Sequence, residues 1–161
     1  MAAVDYFLKL DGIPGESRDQ KHKGEIDLES FSWGETNQSS GAGGGGGAGK
    51  VSMQDLHFTT RVNKASPLLF LSCASGKHLK EATLTARKAG KGQQEFLIFK
   101  FTDVMISSYQ VGGSGAEADT PTEQISFNFA QVDYQYRTQN PDGSLSAPIR
   151  AGWDVKRNQP V

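Results

Sequence analysis

The sequence predicts an all-β fold: a β-barrel or sandwich of two packed, mainly antiparallel sheets, with one short α-helix and one long Gly-rich extended loop. Three observations carry this. Apolar and polar residues alternate with period two in short runs along most of the 161 residues. Turn signals rich in Gly, Pro, Asn and Asp separate those runs. Helical signs are confined to one stretch, opening at Ser66-Pro67 and closing at Gly76.

The first run is residues 4–10, where Val4, Tyr6, Leu8 and Leu10 share one face and Asp5 and Lys9 the other. Residues 11–24 follow as a polar loop. In residues 25–36, Ile26 and Leu28 have one parity and Phe31 and Trp33 the other, the phase change that a β-bulge near Glu29-Ser30 produces. Residues 51–60 shift phase in the same way, with Val51 and Met53 out of step with Leu56 and Phe58.

The helix spans about residues 66–75. Ser66 is placed as its N-cap, Pro67 at its first position, and Gly76 closes it. Leu68, Leu69, Phe70, Leu71, Cys73 and Ala74 make it apolar nearly all round, so it should pack against protein on more than one side. Ala82, Leu84 and Ala86 then alternate with Thr83, Thr85 and Arg87. A long run covers residues 95–111, and a second Gly-rich loop residues 112–123. Ile125, Phe127 and Phe129 alternate with Ser126 and Asn128, before a phase shift to Val132, Tyr134 and Tyr136. Asn140-Pro141-Asp142-Gly143 reads as a type I turn, and Ile149, Ala151, Trp153 and Val155 alternate beyond it. The runs amount to seven or eight strands. A mass of 17.4 kDa fits one domain over residues 1–161 that needs neither disulfide nor metal for its core.

Lys plus Arg is 17 and Asp plus Glu is 18, a formal charge of −1, which argues against a nucleic-acid binder and a polybasic membrane-surface protein. A mean hydropathy of −0.50 and the lack of a long apolar run argue against membrane insertion. The lone Cys73 forms no internal disulfide, and a buried, inert thiol is its expected state. Asp5 and Lys9 interrupt any signal-peptide core, so the chain should fold in the cytoplasm and leave, if it leaves, without a cleaved signal.

The Gly tract of residues 41–49 ends in Gly49-Lys50-Val51, a near match to a phosphate-binding loop. Val51 lacks the hydroxyl that holds Mg²⁺, and a strand pattern follows where a helix is needed. Ordering the tract costs on the order of 10–15 kcal/mol at roughly 1–2 kcal/mol per residue. It is therefore a dangling surface loop or an assembly element that a partner surface orders. His22, His57 and His78 have no metal-ligand spacing, and His22 and His78 read as solvated loop residues. No catalytic motif stands out, and no metal or cofactor is expected. Opposite Phe31 and Trp33 lie Ser30, Ser32 and Gly34; opposite Leu84, Thr83 and Thr85; opposite Phe127, Ser126 and Asn128. These faces are small, polar and mostly uncharged. A carbohydrate-binding module using Trp33, Trp153 or Tyr134 is a weaker reading, since both tryptophans share a face with apolar neighbours.

Several segments together resemble one family. They are Asp5-Tyr6-Phe7-Leu8-Lys9-Leu10, Gly15-Glu16-Ser17, Phe31-Ser32-Trp33-Gly34, Gly47-Ala48-Gly49-Lys50-Val51 and Gln54-Asp55-Leu56-His57-Phe58-Thr59. Ser75-Gly76-Lys77-His78, Arg87-Lys88-Ala89-Gly90, Asn128-Phe129-Ala130-Gln131-Val132 and Gly152-Trp153-Asp154-Val155 continue the match. The chain resembles the haemolysin-coregulated proteins (Hcp), tail-tube subunits of the bacterial type VI secretion system. The resemblance implies a non-enzymatic β-barrel protomer that forms a homo-hexameric ring. Rings would stack into a tube, partner the spike protein, baseplate and sheath, carry small effector proteins in the lumen, and be secreted. It assigns an extended loop of about residues 37–50, with Gln38, Gly41, Gly43, Gly44, Gly45, Gly46, Gly47, Gly49, Lys50 and Val51 as assembly or stacking residues. Ser30 and Ser32 are the candidates for the lumen and effector contact.

Overall fold

The structure, a computed structural model, describes residues 4–37, 50–88, 92–116 and 120–161. In chain order these residues form β1 (Val4–Leu10), β2 (Ile26–Leu28), β3 (Ser30–Ser32), β4 (Glu35–Asn37), β5 (Val51–Met53), β6 (Leu56–Arg61) and α1 (Ser66–Ser75). There follow β7 (His78–Lys88), β8 (Glu95–Gly112), β9 (Thr122–Asn128), β10 (Gln131–Tyr136), β11 (Ile149–Asp154) and β12 (Gln159–Pro160). The all-β fold with one helix is as expected. The strands are more numerous than expected, because the runs over 25–36 and 51–60 each divide among different partners.

The 18-residue β8 organises the sheet. Its first half pairs with β10, from Leu97↔Tyr136 to Thr102↔Gln131. Its second half pairs with β9, from Met105↔Asn128 to Gly112↔Thr122. One branch then runs β12-β11-β10-β8-β7-β1-β2, and the other continues from β8 through β9 and β6 to β3. The pairings are antiparallel, and β4 and β5 form a separate two-stranded sheet.

The phase change near Glu29 is not a bulge in one ladder. β2 pairs with β1 through Ile26↔Leu8, whereas β3 pairs with β6 through Phe31↔Phe58. The chain crosses from one branch to the other, so its inward parity inverts. Glu29 N–H holds the crossing by donating to the Thr59 carbonyl at 2.8 Å. Between the branches lies the core, with Leu8, Phe58, Leu69, Leu84, Phe101 and Phe127 fully buried. Phe101 is its aromatic centre, with ring centroids 4.7 Å from Phe129, 5.1 Å from Phe127 and 6.1 Å from Trp33.

The helix has the expected span and the expected left-handed Gly76 closure, at φ 65°. Its N-cap is Ala65 rather than Ser66. Ser66 Oγ instead donates to Glu123 Oε1 at 2.9 Å and accepts the Asn63 N–H at 2.9 Å. A buried carboxylate from β9 thus outcompetes the helix's own backbone for the hydroxyl. Glu123 is a fully buried strand residue, not part of a Gly-rich loop. The helix is not enclosed within the protomer, because Leu68, Phe70 and Leu71 are exposed.

Residues 11–24 form the expected polar loop, but one anchored to the sheet through buried Ile13, Gly15, Ser17 and His22. They fold back over the polar face of β1 and β7, burying Phe7, Thr85 and Arg87. His22 is buried with them, against expectation. Its ring stacks on Phe7 at 4.4 Å, with Nδ1 2.9 Å from Glu25 Oε2 and Nε2 2.6 Å from Glu95 Oε1. His78 is exposed as expected but begins β7 rather than lying in a loop, and Cys73 is half-buried rather than buried. The Asn140–Gly143 turn forms, with the Gly143 N–H donating to the Asn140 carbonyl at 2.9 Å.

Candidate functional site

Ser30 and Ser32 stand at one end of two cross-strand rows. Register places Ser32 opposite His57, His57 opposite Ser126, and Ser126 opposite Ser108. The parallel row runs Ser30, Thr59, Gln124, Gln110. Between them, on the inner face, run Phe31, Phe58, Ile125 and Tyr109. Period two explains this arrangement: one parity of β3, β6, β9 and β8 feeds the core and the other builds a polar wall.

The wall is a shallow hollow of about 660 Å³. Of the eight residues in the two rows only His57 is ionisable. Hydroxyls bond to hydroxyls along it. Ser30 Oγ lies 2.6 Å from Thr59 Oγ1, and Ser107 Oγ lies 2.9 Å from Ser126 Oγ. Ser108 and Ser126 also pair, and Ser107 donates to Asp55 Oδ2 at 2.5 Å. Beneath the wall, Tyr109 OH donates to Glu123 Oε2 at 2.7 Å. Burial, then that carboxylate, pushes the phenol up to about 12, so it stays a neutral donor. Such a surface offers directional hydrogen bonds to a polar partner and, apart from Asp55 at its edge, little fixed charge.

Thr83 and Thr85 do not join this wall, since they lie on β7 and Thr85 is buried. Sequence reading did not single out His57, Thr59, Ser108, Gln110 or Gln124. The alternation in residues 54–60 holds the signal for the first two. The shift in register between Ile106 and Ser108 hides Ser108 and Gln110, because it breaks the parity of β8, whereas Gln124 keeps the alternation of Ser126 on β9.

Of the residues assigned to assembly, Gln38, Gly41, Gly43, Gly44, Gly45, Gly46, Gly47 and Gly49 lie outside the described residues. Lys50 is exposed, and Val51 begins β5. Asn37↔Val51, Thr36↔Ser52 and Glu35↔Met53 form the paired base on which that segment is mounted. Val51 in a strand agrees with the rejection of a phosphate-binding loop. Trp33, whose indole donates to the Gln54 carbonyl at 3.1 Å, packs edge-on against Phe99, Phe101 and Phe129. It is therefore a core contact more than a stacking platform.

The model of one family, described as "Type VI secretion system effector, Hcp", matches residues 7–136. The chain is 46% identical over 159 residues to Protein hcp1 of Pseudomonas aeruginosa, covering 97% of this chain and 98% of that one. It superposes on Hcp1 from Salmonella typhimurium with a TM-score of 0.81 at 37% identity, covering 100% of both chains. A solved type six secretion system protein gives a TM-score of 0.92 at 32% identity, over 99% of this chain and 100% of that one. The chain thus belongs to the Hcp family, the secreted, non-enzymatic proteins of the type VI secretion system.

Proposed function

We propose that this chain is a tail-tube subunit. Six copies form a ring, and rings stack into the tube that the system expels with its spike, baseplate and sheath. The neutral wall of β3, β6, β9 and β8 lines the lumen, where small effector proteins ride. Ser30 and Ser32 touch that cargo, while Lys50, Val51 and the Gly-rich segment before them make contacts between copies. The observation that carries this reading is the pair of uncharged rows ending at Ser30 and Ser32. Hydroxyls and amides hold a polar cargo without the long-range attraction that would retain it, and a weakly charged lumen lets stacked rings approach without repulsion. Family membership supplies the machinery with which the chain works.

The test is Ser32→Trp, assayed by copurification of effector proteins from the producing cell. Ser32 is exposed, so the protomer should fold and assemble normally. Retained cargo should fall at least about tenfold, because a large side chain fills the hollow. Unchanged cargo in intact rings would remove Ser32 from the lumen.

A further inference from the structure

The helix α1 is chemically inside out. Its buried residues are Ser66, Leu69 and Ser72, whereas Pro67, Leu68, Phe70, Leu71 and Ala74 are exposed. Phe70 is 59% exposed and Leu71 57%. No residue of Ser66–Ser75 is charged. At 3.6 residues per turn, Phe70, Leu71 and Leu68 fall on the arc opposite Leu69. A helix face that meets only water normally carries charge, and an apolar patch on the order of 300 Å² marks a contact site.

An apolar groove of about 490 Å³ lies elsewhere on the same chain, between the β4–β5 pair and β10–β11. Trp33, Met53, Val132, Tyr134 and Trp153 are its large apolar and aromatic lining, and no residue of α1 borders it. The charges match. Among the described residues Glu35 is the one charged residue lining the groove, and exposed Lys64 and Lys77 flank the uncharged helix at its two ends.

We infer that the apolar face of α1 seats in the Trp33–Tyr134–Trp153 groove of the next copy, with Phe70 and Leu71 as the inserted side chains. The inference rests on the ring reading and names its lateral contact. A projecting face and a receiving groove at different places on one surface make a head-to-tail contact. Such a contact closes into a ring when the rotation allows. The exposed apolar helix and the lone Glu35 are then satisfied together.

The test has two parts. The doubly substituted Phe70→Lys, Leu71→Glu chain changes exposed side chains and loses one edge-on ring contact, Phe70 on Tyr109 at 6.3 Å, so its thermal unfolding as a protomer should stay within a few degrees of the unaltered chain. Its assembly should need at least about tenfold more protein, because central apolar anchors dominate interfaces. Separately, Leu71→Cys with Ala151→Cys, in a Cys73→Ser background, should oxidise to a disulfide ladder that stops at six, since Ala151 lines the groove. Normal assembly of the charged variant without a ladder would overturn this contact and leave the ring reading standing. A ladder running past six would place the contact between rings and overturn the lateral assignment. An unaltered chain that stays monomeric would overturn the ring reading, and this inference with it.

Discussion

Arg87 grips both carboxylate oxygens of Asp19, with Nη1–Oδ1 at 2.9 Å and Nη2–Oδ2 at 2.7 Å. The guanidinium side chain is 3% exposed, and its Cζ lies 4.8 Å from the centre of the Phe7 ring. This pair fastens residues 11–24 to β7. The guanidinium holds the Asp19 carboxyl well below the usual carboxylate range. A carboxyl whose folded pKa is depressed contributes stability above its unfolded value near pH 4, and loses it as pH falls further. Thermal unfolding of the unaltered chain should therefore weaken below about pH 4. Asp19→Asn should lower Tm at pH 7 by about 5 °C or more and flatten the acid limb. An acid limb equally steep in Asp19→Asn would show that other carboxylates govern it.

The aromatic centre should be costly to hollow out. Phe101 is fully buried among Trp33, Phe127 and Phe129. Phe101→Ala should destabilise by about 3–5 kcal/mol in urea unfolding. A loss below about 1 kcal/mol would mean that the ring carries little of the packing.

Two glycines should respond oppositely to alanine. A Cβ at Gly15 would lie 2.4 Å from the Glu25 carbonyl oxygen, inside the contact that ties residues 11–24 to the start of β2. The backbone must move, so Gly15→Ala should cost about 1–3 kcal/mol. A Cβ at Gly112 meets none of the described residues within 4 Å, and Gly112→Ala should stay within about 0.5 kcal/mol of the parent. Equal Tm values for the two variants would contradict the tight approach at Gly15.

The parts of the fold that depend on neighbours in sequence were legible. Val4–Leu10, the Gly76 closure and the Asn140–Gly143 turn follow from period two, left-handed glycine and turn chemistry. The parts decided by distant partners were not. Ser66 fits a cap in every local respect, and Glu123, 57 residues away, takes its hydroxyl. Phe7 and Arg87 sit at polar parity until residues 11–24 cover them. The wall was half legible: Ser30 and Ser32 follow from alternation on β3, but their alignment with His57, Ser126 and Ser108 needs the sheet register.

If the wall lines a lumen as proposed, its neutrality predicts how cargo would be held. With His57 the one ionisable residue in two rows, retention of effectors should change by less than about twofold between about 0.05 and 0.5 M salt. Screening acts only where charges attract. A tenfold loss would mean that charged residues outside the wall hold the cargo.

Deleting residues 41–49 should leave a folded protomer with nearly unchanged Tm, because the Asn37↔Val51 pair already closes the base of the segment. Stacking or ring formation should weaken. An unfolded deletion variant would contradict the assignment of this segment to assembly.

The central claim is that the chain acts as a ring, and its absolute mass tests that most directly. Light scattering on the purified chain, with negative-stain imaging of the same peak, should give six times the 17.4 kDa protomer mass and ring-shaped particles. A 17.4 kDa species across a wide concentration range would contradict it.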